Sequence, residues 1–349
     1  MFFPLVRALG LAAVALVCFA TLPARAELVW TPGSGWSIEG GVLSGLIGDE
    51  ANNALELMNR ARAAEERGNI GTAIKNYDRV SKRYVNSVYG PEAVYRLARL
   101  RLSNRQYFKA FDAFQIIVSR YPNSPRFNEV VGEQYRIASA LMDGARNRTW
   151  GWLPGFRNRD QAIRYFEQII VNAPYSDYAP LALMNVARAH QRLGNDIEAI
   201  DALDRMINFY PQSILAPDAY LKLAETHASL VDGPAYDQAS TREAITYFED
   251  FIILFPSDDK VAAAERGLGS MKEVLAESKM TIAEFYFYRR SNFRAARVFY
   301  NEAITAFPDS AVAERARAEL AKIDAAEAER AARAEQSGGA TRKKFLGLF

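Results

Sequence analysis

Residues 98–124 read ARLRLSNRQYFKAFDAFQIIVSRYPNS, and their spacing decides the fold. Ala98 and Ala110 stand twelve residues apart, Phe114 follows Ala110 by four, Pro122 follows it by twelve, and Ser124 comes two later. Pro122 is a stop, because its ring neither donates to nor continues a helical ladder. Ser124 is a residue type that caps the next helix. One small residue on each of two successive helices lets them lie close and antiparallel, and the aromatic four residues on fills the space beside them.

Outward from there the register repeats. Its six sets are Ala73/Tyr77/Val85, Ala110/Phe114/Pro122, Ala162/Phe166/Pro174, Ala199/Leu203/Pro211, Ala244/Phe248/Pro256 and Ala296/Tyr300/Pro308. Two residues past each stop come Ser87, Ser124, Ser176, Ser213, Asp258 and Ser310, read as N-caps. Ala61, Ala98, Ala187 and, after a loop insertion, Ala224 supply the small residue of the preceding helix. Successive stops lie 37, 52, 37, 45 and 52 residues apart, a unit of 37 with insertions of 15, 8 and 15. The first insertion, Asn147–Asn158 (NRTWGWLPGFRN), reads as a loop, as does Asp232–Ser240. The third is expected to hold two successive helices, about 259–277 and 279–290.

This period and pattern resemble the tetratricopeptide repeat (TPR) family. The expected fold is all-α: a TPR-type α-solenoid of about six antiparallel helix pairs over residues 50–335, with a charged C-terminal capping helix from Ala311. Residues 27–49, Gly-rich with Trp30 and Trp36, are expected to be extended, and residues 336–349, ending TRKKFLGLF, to form a flexible basic and apolar tail.

Residues 1–26 read as a signal peptide: Arg7, an apolar run from Ala8 to Ala20, then small residues Ala24 and Ala26 at an A-x-A site. The competing reading is lipidation at Cys18, against which Val17 stands where a lipobox wants Gly, Ala or Ser. Either way export is expected, and no later stretch is apolar enough to span a bilayer.

Composition narrows the function. Of 349 residues 50% are hydrophobic and 24% charged, which excludes a disordered or multi-span chain. Lys+Arg is 43 and Asp+Glu 41; without Arg7 and Arg25 the balance is 41 of each, which argues against nucleic acid as a partner. One Cys and two His, His190 and His227, leave no thiol or imidazole metal cluster. No phosphate loop, zinc-protease or nucleophile-elbow motif occurs, so no catalytic residue, cofactor or metal is expected.

The candidates are therefore binding residues. The position after the small residue of each first helix is expected on the concave face, and holds Arg62, Arg99, Arg188 and Glu225; Tyr95 joins the three arginines as a peptide contact. Each Arg pairing with a neighbouring Glu is the competing reading. Trp150, Trp152 and Arg157 in the inserted segment are of the types enriched at protein–protein hot spots. Phe285, Tyr286, Phe287 and Tyr288 occupy every side of a helix, so at least one is expected exposed, beside Arg289 and Arg290.

Ile282–Pro308, IAEFYFYRRSNFRAARVFYNEAITAFP, resembles the final repeats of the BamD (YfiO) family, the TPR lipoproteins of the outer-membrane β-barrel assembly machine. The matching residues are Ala283, Glu284, Phe285, Tyr286, Arg289, Phe293 and the stop Phe307-Pro308-Asp309-Ser310. The long insertion before Asp160-Gln161-Ala162 is similar to the family's interrupted third repeat. The resemblance implies a non-catalytic scaffold at the periplasmic face of the outer membrane. It would bind the barrel-forming assembly protein and other assembly subunits through C-terminal repeats, and unfolded outer-membrane protein segments through N-terminal ones. A different periplasmic TPR adaptor, coordinating envelope constriction or peptidoglycan synthesis, is the alternative.

Overall fold

The structure, a computed structural model, describes residues 27–39, 49–149 and 153–346. The readings of the signal peptide and of Cys18 lie outside the described residues. In chain order the helices fall into six pairs: α1 (Asp49–Glu66) and α2 (Ile70–Arg83), α3 (Gly90–Ser103) and α4 (Tyr107–Arg120), α5 (Phe127–Met142) and α6 (Arg159–Asn172), α7 (Tyr178–Leu193) and α8 (Asp196–Phe209), α9 (Ala216–Ser229) and α10 (Ala239–Leu254), α11 (Val261–Glu284) and α12 (Phe293–Ala306). A long helix, α13 (Ala311–Leu346), follows. The fold is the all-α, TPR-type solenoid that the spacing predicts. The chain divides into two compact units, residues 1–179 and 180–349.

The repeat is written in backbone hydrogen bonds. Where each second helix ends, Tyr84, Tyr121, Ala173, Tyr210, Phe255 and Phe307 donate their N–H to the carbonyl four residues back. Three residues later Ser87, Ser124, Ser176, Ser213, Asp258 and Ser310 donate theirs to the carbonyls of those same six residues. The stops thus close one identical turn six times.

The capping expectation needs correction. Ser310 does cap, its Oγ accepting from Ala313 N at 3.1 Å. At α3, α5, α9 and α11 the cap positions are instead Tyr89, Arg126, Leu215 and Lys260. The expected caps sit two residues earlier, where Ser124, Ser213 and Asp258 accept from the backbone N–H of Arg126, Leu215 and Lys260. The chain needs one more bend after the stop before it can enter the next helix.

Second helices start with their own device. Asn69, Asn158 and Asn292 accept from the N–H three residues on. The residue just before the cap is left-handed in four pairs: Gly68 at φ +74°, Arg105 at +56°, Gly194 at +74° and Ser291 at +49°.

The twelve Ala and aromatic or Leu residues of the register are all buried, as are Ala61, Ala98, Ala187 and Ala224. Ala138 and Ala283 are buried in the first helices of the third and sixth pairs. Successive pairs also stack ring on ring: Phe111 and Tyr165 lie parallel, centroids 3.6 Å apart.

Three segments differ from expectation. The inserted segment is a β-hairpin, β1 (Arg146–Thr149) with β2 (Leu153–Arg157), because its ends lock onto the preceding turn: Arg148 N donates to Arg105 O at 2.8 Å, and Phe108 N to Asn147 Oδ1 at 3.2 Å. Residues 261–284 form one unbroken helix rather than two, since no Gly-Pro stop divides them; it runs on into a π-helical turn, Phe285–Arg289. The backbone of α13 stays helical to Leu346, past the boundary expected at 335. In the stretch 27–49, residues 27–39 form strands β3 (Glu27–Thr31) and β4 (Gly35–Glu39) that place Trp30 opposite Trp36, and residues 40–48 lie outside the described residues. Trp36 is buried against α1, its backbone N–H donating to Asn59 Oδ1 at 2.8 Å.

Candidate partner-binding surfaces

On the first helices of the N-terminal unit, α1, α3 and α5, charged side chains form a ladder. Arg62 meets Glu65 at 3.3 Å and Glu66 at 3.1 Å, and lies 4.4 Å over the Trp30 ring. Arg96 joins Glu92 at 2.8 Å and Glu65 at 3.8 Å, and Glu92 reaches Arg126 at 3.5 Å. Tyr95 donates its hydroxyl to Glu129 while Arg126 stacks 4.2 Å over its ring. Burial, helped by that carboxylate, raises the Tyr95 pKa. Arg99 and Arg136 converge on Glu133 at 2.5 and 2.9 Å.

The face is therefore balanced, and the cations singled out from sequence, Arg62 and Arg99, are each held by carboxylates. Such a surface presents paired rather than bare charge. Arg188 lies in the other unit, exposed, with Asn185 Oδ1 at 3.5 Å.

Trp150 and Trp152 lie outside the described residues. Arg157, their companion, is exposed at the end of β2. The same strand carries Phe156, 94% exposed, and Leu153, also exposed. Phe156 escaped the sequence reading because a lone Phe in a Gly-Pro segment has no periodic position.

The π-turn after α11 answers the question of the four aromatics. Tyr286 turns inward and stacks on Phe299 (centroids 5.6 Å, planes 2° apart), and Phe287 packs on Phe293 at 5.5 Å. Phe285 and Tyr288 face outward, 46% and 59% exposed. Arg290 lies 5.4 Å over the Phe285 ring, and Arg289 is exposed beside it. Tyr288 donates its hydroxyl to Glu319 at 2.7 Å, tying the patch to α13. Burial opposes ionisation of Glu319, but bonds from Lys322 and Tyr288 outweigh it and hold its pKa below the usual value. The insertion of one residue per turn re-aims these side chains, a common use of π-turns at binding sites.

The sequence model of a family described as "YfiO: Outer membrane lipoprotein" matches residues 50–195 and 156–337, together the whole run of helix pairs. The chain belongs to this family.

Among curated YfiO-type relatives, the outer membrane protein assembly factor BamD of Caulobacter vibrioides is 26% identical over 129 residues, 37% of this chain and 42% of that protein. The BamD of Xylella fastidiosa is 23% identical over 156 residues, 42% of this chain and 53% of that protein. The chain thus spans about half the length of the curated relatives it matches. A solved tetratricopeptide repeat protein from Parabacteroides merdae overlaps at a TM-score of 0.30 and 11% identity, covering 78% of this chain and 98% of that one; so loose an overlap carries no argument.

Elsewhere in this YfiO-family chain, no group of three His, Cys, Asp or Glu among the described residues could hold a metal ion. None of the described helices is long and apolar enough to cross a membrane. His190 and His227 stand apart from one another on α7 and α9, each within helical packing.

Proposed function

We propose that the chain is a non-catalytic scaffold of outer-membrane β-barrel protein assembly, working at the periplasmic face of the outer membrane. The observation that carries this is the family match over residues 50–337, with relatives named as assembly factors. In this reading the C-terminal pairs hold the barrel-forming assembly protein, and the N-terminal pairs receive unfolded outer-membrane protein segments.

The chemistry suits the task. Stacked hairpins give a stiff surface that loses little entropy on binding. Phe285, Tyr288, Arg289 and Arg290 combine rigid aromatics with guanidinium groups, the mixture that dominates protein–protein hot spots. On α1, α3 and α5 the paired Arg and Glu side chains offer both signs of charge to an extended chain, whose own charges and carbonyls can take over one partner at a time. No bond is made or broken, so none of these groups needs a shifted pKa to act.

The test is capture. Tagged protein incubated with detergent-solubilised outer membrane should retain a large β-barrel assembly protein. Recovery of peptidoglycan-associated proteins alone would overturn the reading and favour an envelope adaptor.

A further inference from the structure

The β1–β2 hairpin carries charge that folding does not explain. From Gly144 to Arg159 there is no acidic residue and there are four arginines, Arg146, Arg148, Arg157 and Arg159. None of the four has a carboxylate within ion-pair distance among the described residues. Arg146 and Arg157 are direct cross-strand partners, an arrangement in which like charges repel. Arg159 opens α6, where the helix end is itself positive. The like-charged pair in the ribbon and the cation at the start of α6 are two locally unfavourable placements that an anion from outside would relieve.

The apolar side chains say which kind. Phe156 is almost wholly exposed and Leu153 nearly half so, on a two-stranded ribbon. A fluid lipid surface needs no matching shape: apolar side chains enter among the acyl chains while guanidinium groups stay at the phosphates. The ribbon is braced for this, its base bonded to the α3–α4 turn through Arg105 O and Asn147 Oδ1.

We infer that this hairpin is a peripheral membrane-contact element, with Arg146, Arg148, Arg157 and Arg159 taking anionic lipid headgroups and Phe156 and Leu153 entering the interface. It rests on the periplasmic-face reading above and adds a lipid partner to it. Four cations near an anionic surface supply a salt-sensitive attraction, and the aromatic adds an apolar, salt-insensitive part.

The experiment is co-sedimentation of the full chain with phosphatidylcholine vesicles with and without phosphatidylglycerol. The parent should prefer the anionic vesicles, less so at high salt. Arg146→Gln with Arg157→Gln should weaken that binding about 30-fold, and Phe156→Ser about tenfold on either vesicle. Arg146→Lys with Arg157→Lys should keep the preference, because headgroup attraction needs charge rather than a bidentate fork. Unchanged anionic preference in the Gln pair, with helicity intact by circular dichroism, overturns the inference. So does a Lys pair as weak as the Gln pair, which marks a protein-type guanidinium site. Capture of the assembly protein is scored on the same preparations, so failure of the scaffold reading and failure of this one are read separately.

Discussion

The carboxylate of Glu133 on α5 holds the guanidinium of Arg99 on α3 at 2.5 Å, across the boundary between the second and third helix pairs. The same separation of 34 residues joins Tyr95 to Glu129, and Arg126 lies equally far along the chain from its partner Glu92. Partner groups 34 residues apart thus key the two pairs together. Glu133 is only 2% exposed, while Arg99 is half-exposed. Glu133→Ala frees both Arg99 and Arg136 into water rather than stranding them, so the cost is about 1–2 kcal/mol, not that of a fully buried pair. Urea unfolding should show a lower midpoint with unchanged slope. A midpoint equal to the parent's would remove the ladder from any role in stacking.

Ala110 is completely buried on α4. Ala110→Glu places an unpaired charge there, and should cost about 3–5 kcal/mol. Thermal unfolding followed by far-UV circular dichroism reads it. A neutral result would contradict the register on which the fold was read.

Arg105 holds φ at +56° in the turn where Gly68 and Gly194 serve the first and fourth pairs. A side chain pays about 1–2 kcal/mol for that conformation, and glycine about 0.5–1 kcal/mol in chain entropy. Arg105→Gly should therefore stabilise modestly, or at worst be neutral, whereas Arg105→Ala should not stabilise. Equal melting temperatures for the Gly and Ala variants would show that the turn carries no strain.

His227 stacks on Tyr247, centroids 5.5 Å apart, with its Nδ1 buried and unbonded. Burial lowers its pKa from 6.5, although Glu243 and Asp204 pull the other way. On acidification the unfolded chain takes up this proton before the folded one does. The contribution to stability is thus full above the ordinary histidine range and is lost as pH falls through it towards the lowered folded value. His227→Phe keeps the ring stack and removes the proton, so stability should fall less steeply between about pH 7 and pH 5. Identical pH profiles would mean that the imidazole titrates as it does unfolded.

The repeat was legible because its signal is local: Ala73 to Tyr77, or Ala110 to Phe114, is one helical turn, and the stop follows at fixed distance. Start signals were less so, since Arg105 and Ser291 stand where glycine marks the turn elsewhere. The hairpin at 146–157 reads as a loop in the sequence because its strands are short, non-alternating and interrupted by Pro154 and Gly155; what orders them is a bond to Arg105, some forty residues back. The partners of Arg62 were within four residues and legible as the competing reading, whereas Glu133 lies a full repeat from Arg99. Opposite charges at 34-residue spacing would have revealed it. The π-turn announced only that four consecutive aromatics could not share one side; which two face outward depends on Phe299, Phe293 and Glu319.

The scaffold account meets its most direct test at Phe285. A photo-reactive phenylalanine analogue placed there, in cells carrying the chain at its natural location, should cross-link to the large β-barrel assembly protein. The same analogue at Ala110, which is buried, serves as the control and should yield no such adduct. Adducts confined to peptidoglycan-associated proteins, or none with any β-barrel protein while the chain remains folded, would contradict the account.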